Sequence, residues 1–140
     1  MNPGINHVSI VSRNLDKTAA FLQKVIGCTP HDHEGWFRIP ECSTAIHVIE
    51  LEDAVVPGED EYFHYYNHVA LEVGSLVDVV KEGLKLKLRV FQMNLEGDEH
   101  DVKAADDKLA FGLKTVFIQD PDKNLWEFAQ RGHSWSALWE

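Results

Sequence analysis

Cysteine is scarce in this chain. Cys28 and Cys42 are the two present in 140 residues, too few for a disulfide framework, so a reducing compartment, the cytoplasm, is the expected location. No stretch approaches the roughly 20 consecutive apolar residues of a membrane span. Met1-Asn2-Pro3-Gly4 also lacks the charged-then-apolar layout of a secretory leader. Basic residues are in short supply as well: 13 lysines and arginines face 23 acids, a formal net charge of −10. That balance disfavours nucleic acid and anionic membranes as partners, since both reward basic patches. It gives no encouragement to an anionic substrate either. What remains, 44% hydrophobic and 26% charged residues, is ordinary for a soluble globular protein. The length suits one domain with a real core.

What the chain does have is a repeat. Asn67-His68-Val69-Ala70-Leu71-Glu72-Val73 has an earlier copy, Asn6-His7-Val8-Ser9-Ile10-Val11-Ser12, 61 residues upstream. Both copies alternate like a strand and lead into a helix-like run, so residues 15–27 fall on residues 76–88 at the same offset. Two copies of one small motif, each opening with a histidine on a strand, point to a site shared between two halves.

Strand parity then sorts the side chains. His7, Ser9 and Val11 share one face of the first strand, Val8 and Ile10 the other. A helix over residues 15–26, capped by Asn14 and ended by Gly27, offers Leu15, Ala19, Leu22 and Ile26 to the Val8/Ile10 face. His7 is thereby turned toward a free face that can line a cavity. Residues 36–39 and 45–51 read as further strands, and on the latter His47 and Glu50 have opposite parity. The polar stretch 53–61 reads as a link between halves. In the second half His68, Ala70 and Glu72 share a face. Ser75 with Asp78 resembles a capping box for a helix to about residue 84. Residues 87–92 read as a strand, and 95–108 as a charged loop, a lid or a disordered segment. Residues 113–119 and 125–130 form a hairpin across Asp120-Pro121-Asp122-Lys123-Asn124, with Leu125, Glu127 and Ala129 on one face.

Three pieces, Ile5-Asn6-His7-Val8, Asn67-His68-Val69-Ala70-Leu71 and residues 116–127 with their Asp-Pro-Asp-x-Asn turn, resemble the vicinal oxygen chelate superfamily. That superfamily includes glyoxalase, bleomycin-binding proteins, fosfomycin-modifying enzymes and extradiol dioxygenases. The resemblance implies an α+β glyoxalase-like fold: two βαβββ modules curled around a metal-centred cavity. Module one takes about residues 5–52, a linker 53–64, module two 65–130 and an aromatic tail 131–140. It also implies one divalent metal ion per subunit on His7, His68 and Glu127, with Fe2+ or Mn2+ favoured and Ni2+, Co2+ or Zn2+ as alternatives. The family's variable fourth position falls on His47; Glu50, its rival on that strand, has the wrong parity. Members often pair, so a homodimer is expected, with the Trp135–Trp139 tail capping the cavity or packing on a partner.

The residue types agree. Two imidazoles and a carboxylate leave coordination positions open for substrate, and without a thiolate the set is unlike a structural zinc site. His47 is expected as an acid–base group near neutral pH rather than a fourth ligand. His64, Tyr65 and Tyr66 reach the rim or belong to an edge strand, and His31, His33, His100 and His133 are expected to be solvated. The family's functions diverge from this point. A ring-cleaving dioxygenase acting on a small oxygenated substrate is slightly favoured, because it needs the triad plus a nearby His or Tyr. A glyoxalase-type lyase wants a carboxylate where His47 stands. A fosfomycin-modifying enzyme wants a phosphonate-binding pattern that residues 95–108 lack. A drug- or metabolite-sequestering protein normally dispenses with the metal set.

Overall fold

The computed structural model describes residues 1–55 and 67–133. The first half runs β1 (His7–Ser12), α1 (Leu15–Phe21) with a π-helical turn at Leu22–Ile26, β2 (Thr29–Pro30), β3 (Trp36–Arg38) and β4 (Ala45–Glu50). The second runs β5 (His68–Val73), α2 (Leu76–Lys85), β6 (Val90–Met93), β7 (Glu99–Asp101), β8 (Thr115–Gln119) and β9 (Leu125–Gln130). The sheets are ordered β1-β4-β3-β2 and β5-β9-β8-β6-β7. In each, the opening strand lies at an edge, parallel to the closing strand. These are two βαβββ units, the second extended by β7. No helix among the described residues is long and apolar enough to cross a membrane.

The sequence repeat extends to the hydrogen bonds. The Asn14 side chain caps α1 by accepting from the Lys17 amide, and Ser75 caps α2 by accepting from the Asp78 amide. The next free amide of each helix, Leu15 or Leu76, donates to the end of its own closing strand, at Glu50 Oε1 (2.9 Å) or Gln130 Oε1 (3.2 Å). These groups answer the unmet donors of a helix N-terminus. The register matches too: Ser12 pairs with Glu50 and Val73 with Gln130.

Both helices and the helix-facing sides of both sheets share one core. Ile10, Phe21, Leu22, Ile46 and Val48 from the first unit meet Val79, Val80, Val116, Ile118, Trp126 and Phe128 from the second. The Phe21 and Trp126 rings lie 5.6 Å apart. The wider π-helical turn adjusts the expected stripe, burying Phe21 and Val25 beside Leu22 while Leu15, Ala19 and Ile26 stay at the margin. With the helix sides spent on this core, the opposite faces of both sheets look outward.

One expectation changes. Residues 95–108 are not an open loop: β7 pairs with β6, Val102 is buried with its amide on Val90 O (2.9 Å), and Asp107 accepts from the Lys103 and Ala104 amides. Glu-His-Asp has no apolar alternation to betray a strand, and backbone pairing with β6 holds it. The edge strand β2 was hidden for the same reason, its proline tolerated at an edge. Residues 56–66, which take in most of the linker with His64 and the start of module two with Tyr65 and Tyr66, and the aromatic tail from residue 134 onward lie outside the described residues.

Candidate metal centre

Strand pairing fixes where the candidate residues stand. His7 sits opposite Ala45, and His47 opposite Ser9, two positions further along. His68 sits opposite Leu125, and Glu127 opposite Ala70, again two positions along. His47 therefore occupies in the first unit the place that Glu127 occupies in the second. All four lie on outward faces. Glu50, the rival to His47, spends its carboxylate on the α1 N-terminus.

On the second sheet His68 Nε2 and Glu127 Oε2 are 3.1 Å apart. Glu127 is buried, at 6% exposure, and His68 is its only hydrogen-bond partner among the described residues. Around them Met93, Leu95, Leu113, Thr115 and Phe117 line a cavity of about 300 Å³. Phe117 packs edge-on to His68 at 5.6 Å and stacks with Phe91. With Leu125 these rings form a small apolar cluster separate from the main core. A buried carboxylate on an apolar floor needs a compensating charge.

On the first sheet His7 Nδ1 lies 2.8 Å from Asn6 Oδ1. An amide oxygen only accepts, so Nδ1 is the donor here, and in the neutral imidazole that leaves the lone pair on Nε2. His47 stacks on Trp36 with ring centres 4.2 Å apart and planes 8° apart, and His7 meets Trp36 edge-on at 5.1 Å. The His47 ring nitrogens have no hydrogen-bond partner among the described residues. The structure thus brings His68 and Glu127 together, and His7 and His47 together, on separate sheets. Among the described residues no three metal-capable side chains converge. A groove of about 460 Å³ separates the edge strands β1 and β5, with Ser9 on one bank and His68 on the other.

The donor types suit a divalent ion. Adjacent ligands on a metal with bonds of about 2.1 Å stand about 3 Å apart at right angles, which is the separation of His68 Nε2 and Glu127 Oε2. His7, with Nε2 free and Nδ1 held, has the usual form of a ligating imidazole.

The Asp-Pro-Asp-x-Asn turn has a structural task that its sequence did not announce. Asp122 accepts from the Arg13 amide (2.9 Å) and from Thr18 Oγ1 (3.1 Å), and Thr18 in turn accepts from Ser12 Oγ (2.7 Å). Asn124 Nδ2 donates to Val11 O. The turn before β9 therefore ties the second unit to the strand that carries His7. Trp36 and Phe117 were likewise missed as wall residues; they pair directly with His47 and Glu127, a signal available only once the register is known.

Residues 4–128 match the sequence profile of the Glyoxalase/Bleomycin resistance protein/Dioxygenase superfamily. The chain belongs to this superfamily. No curated protein sequence matches the chain. Solved structures share this superfamily fold at low identity. A point mutant of the fosfomycin resistance protein FosX from Listeria monocytogenes, complexed with Mn(II) and 1S,2S-dihydroxypropylphosphonic acid, is 18% identical over 92% of this chain and 90% of its own, with a TM-score of 0.64. FosX from Mesorhizobium loti is 17% identical over the full length of both chains, with a TM-score of 0.61. The oxidase ChaP-H2 is 17% identical over 97% of this chain and 99% of its own, at 0.64.

Proposed function

We propose that the chain is a mononuclear divalent-metal enzyme, with His7, His68 and Glu127 as ligands and His47 as the acid–base group, acting on a small oxygenated substrate. The observation that carries this reading is the buried Glu127 carboxylate, 3.1 Å from His68 Nε2 on the floor of an apolar cavity. His7 and His47 stand at the equivalent positions of the other sheet, so each unit offers one half of a site. Because both halves face away from the shared core, a second copy of the chain completes each site: His7 of one protomer joins His68 and Glu127 of its partner. The Mn(II) in the FosX complex supports a divalent ion in this fold.

A bound ion of this type supplies Lewis acidity toward two neighbouring substrate oxygens and, as Fe(II) or Mn(II), one-electron chemistry toward O2. The protein's own part follows from its side chains. Trp36 and Phe117 form flat apolar walls that exclude water and suit an aromatic ring, with the buried Phe91 stacked behind Phe117. His47, stacked on Trp36 with neither ring nitrogen hydrogen-bonded to a described residue, is placed to take a proton from a substrate hydroxyl and return it. An imidazole at this position and an aromatic wall favour a ring-cleaving dioxygenase over a glyoxalase-type lyase. The existence of an oxidase with this fold is in keeping with that choice.

Elemental analysis combined with a catechol panel followed by oxygen uptake tests the reading. About one divalent ion per subunit is expected, with His68→Ala or Glu127→Ala losing it. His47→Gln should keep the ion and lower turnover about 100-fold or more. Unchanged metal content in His7→Ala, His68→Ala and Glu127→Ala would overturn the metal centre. Full activity in His47→Gln would remove that residue from the mechanism.

A further inference from the structure

The chain has four arginines, and in so acidic a protein each has acids to choose from. Arg89 pairs with Glu99 and Asp101, and Arg131 with Glu72 and Glu41. Arg13 donates to Ala54 O at 2.6 Å. Arg38 is exposed and has no ion pair or hydrogen bond with any described residue. Glu41, the acid nearest to it in sequence, is taken by Arg131 at 3.7 Å. In a chain with 23 acids, a guanidinium with no partner among the described residues calls for a reason.

Its place in the sheet supplies one. His7, Ala45 and Arg38 form a single cross-strand row over β1, β4 and β3, so all three project from the same outward face. Ala45, between them, contributes only a methyl group. The space above it opens into a cavity of about 470 Å³ lined by His31, His33, Trp36, Arg38, Thr44 and Ala45. Two strand spacings of about 4.8 Å put the backbones of His7 and Arg38 about 10 Å apart. Trp36 lines the same cavity and meets the His7 ring edge-on at 5.1 Å.

We infer that this cavity is the distal part of the substrate site, and that Arg38 selects substrates bearing a carboxylate on a planar ring. The inference rests on the metal-centre reading above for its placement of His7. A ring whose adjacent oxygens face His7 lies along Trp36 and extends its far substituent toward Arg38. The planar, five-donor guanidinium matches a carboxylate in bidentate fashion. The stacked imidazoles of His31 and His33, 5.4 Å apart, add donors at the same end. The net charge of −10 argues against anionic ligands in general, but potential within a cleft follows its own lining groups, and among the described residues no acid lines this cavity.

The test is calorimetric titration of the full chain with 3,4-dihydroxybenzoate and its neutral isostere 3,4-dihydroxybenzamide, without oxygen, with Mn(II) bound and after chelation. The acid should bind at least about tenfold more tightly than the amide at low ionic strength, with the advantage shrinking in salt. Arg38→Gln should erase that advantage while leaving amide affinity and metal content unchanged, and Arg38→Lys should keep part of it. Equal binding of the two probes, binding of neither, or an advantage that persists in Arg38→Gln overturns the subsite. The metal centre fails by a different sign, unchanged metal content in His68→Ala. If the acid keeps its Arg38-dependent advantage over the amide in the chelated protein, the subsite stands even then.

Discussion

Asp120 shows how far one residue's surroundings can pull in opposite directions. Its carboxylate accepts from the amides of Asp122 and Asn124, from Asn124 Nδ2 and from the Trp126 indole, all within 3.2 Å. Those donors favour the charged form, yet burial outweighs them and pushes the carboxyl from 3.8 up to about 6. The folded protein therefore holds this proton more tightly than the unfolded chain does. Asp120's contribution to stability is full below about pH 4 and is lost as pH rises through about 6, by roughly 3 kcal/mol in all. Asp120→Asn removes the titration and sets an amide against the Asn124 and Trp126 donors, so it lowers stability throughout. In urea unfolding from pH 4 to pH 7.5, the wild type's lead over Asp120→Asn should shrink as pH rises. A lead that is constant or grows would show that the donors, not burial, govern this carboxyl. The residue matters to the site because Trp126, which it holds, immediately precedes Glu127.

Among the elements, α2 is the one whose fit against its sheet can be tested most sharply. Gly83 lies buried in the last turn of α2, where glycine costs up to about 1 kcal/mol relative to alanine. A methyl group there would sit 2.8 Å from Ile118 Cδ1 and 3.2 Å from Val90 Cγ2. Overpacking costs about 1–3 kcal/mol and outweighs the gain in propensity, so Gly83→Ala should destabilise by about 1 kcal/mol. Ile118→Val removes the offending Cδ1, and the double variant should be about 1 kcal/mol more stable than the two single effects predict. Strict additivity in denaturation would mean that the helix, and not Ile118, yields. Elements of this kind were legible where local chemistry defines them. The Asn14 and Ser75 caps, β9 at its observed limits and the parity that puts Glu50 opposite His47 all follow from a few adjacent residues. What could not be read was set by distant partners: β7 exists because β6 offers it hydrogen bonds, and Gly83 is needed because Ile118 lies beneath it.

At the scale of the molecule, the repeat and the family motifs carried the sequence as far as two βαβββ units and four outward-facing candidate residues. They did not carry it to the relation between the units. That relation depends on side chains far apart in sequence, such as Phe21 against Trp126 and Thr18 against Asp122, which bury the helix sides together and leave His7 on one outward face and Glu127 on another. A site completed by a second copy has a consequence that a self-contained site lacks. In the proposed two-fold dimer each centre would take His7 from one protomer and His68 with Glu127 from the other. His7→Ala and Glu127→Ala homodimers then contain no intact centre. Unfolded together and refolded, equal amounts of the two variants give about half heterodimers, each with one intact and one doubly damaged centre, so metal content should return to about a quarter of the wild-type value. Oxygen uptake should recover in the same proportion. A site built within one chain predicts no recovery at all, since every chain in the mixture carries one damaged ligand. Absence of recovery from a mixture shown by native mass spectrometry to contain heterodimers would therefore place His7, His68 and Glu127 in the same protomer and reject the shared centre.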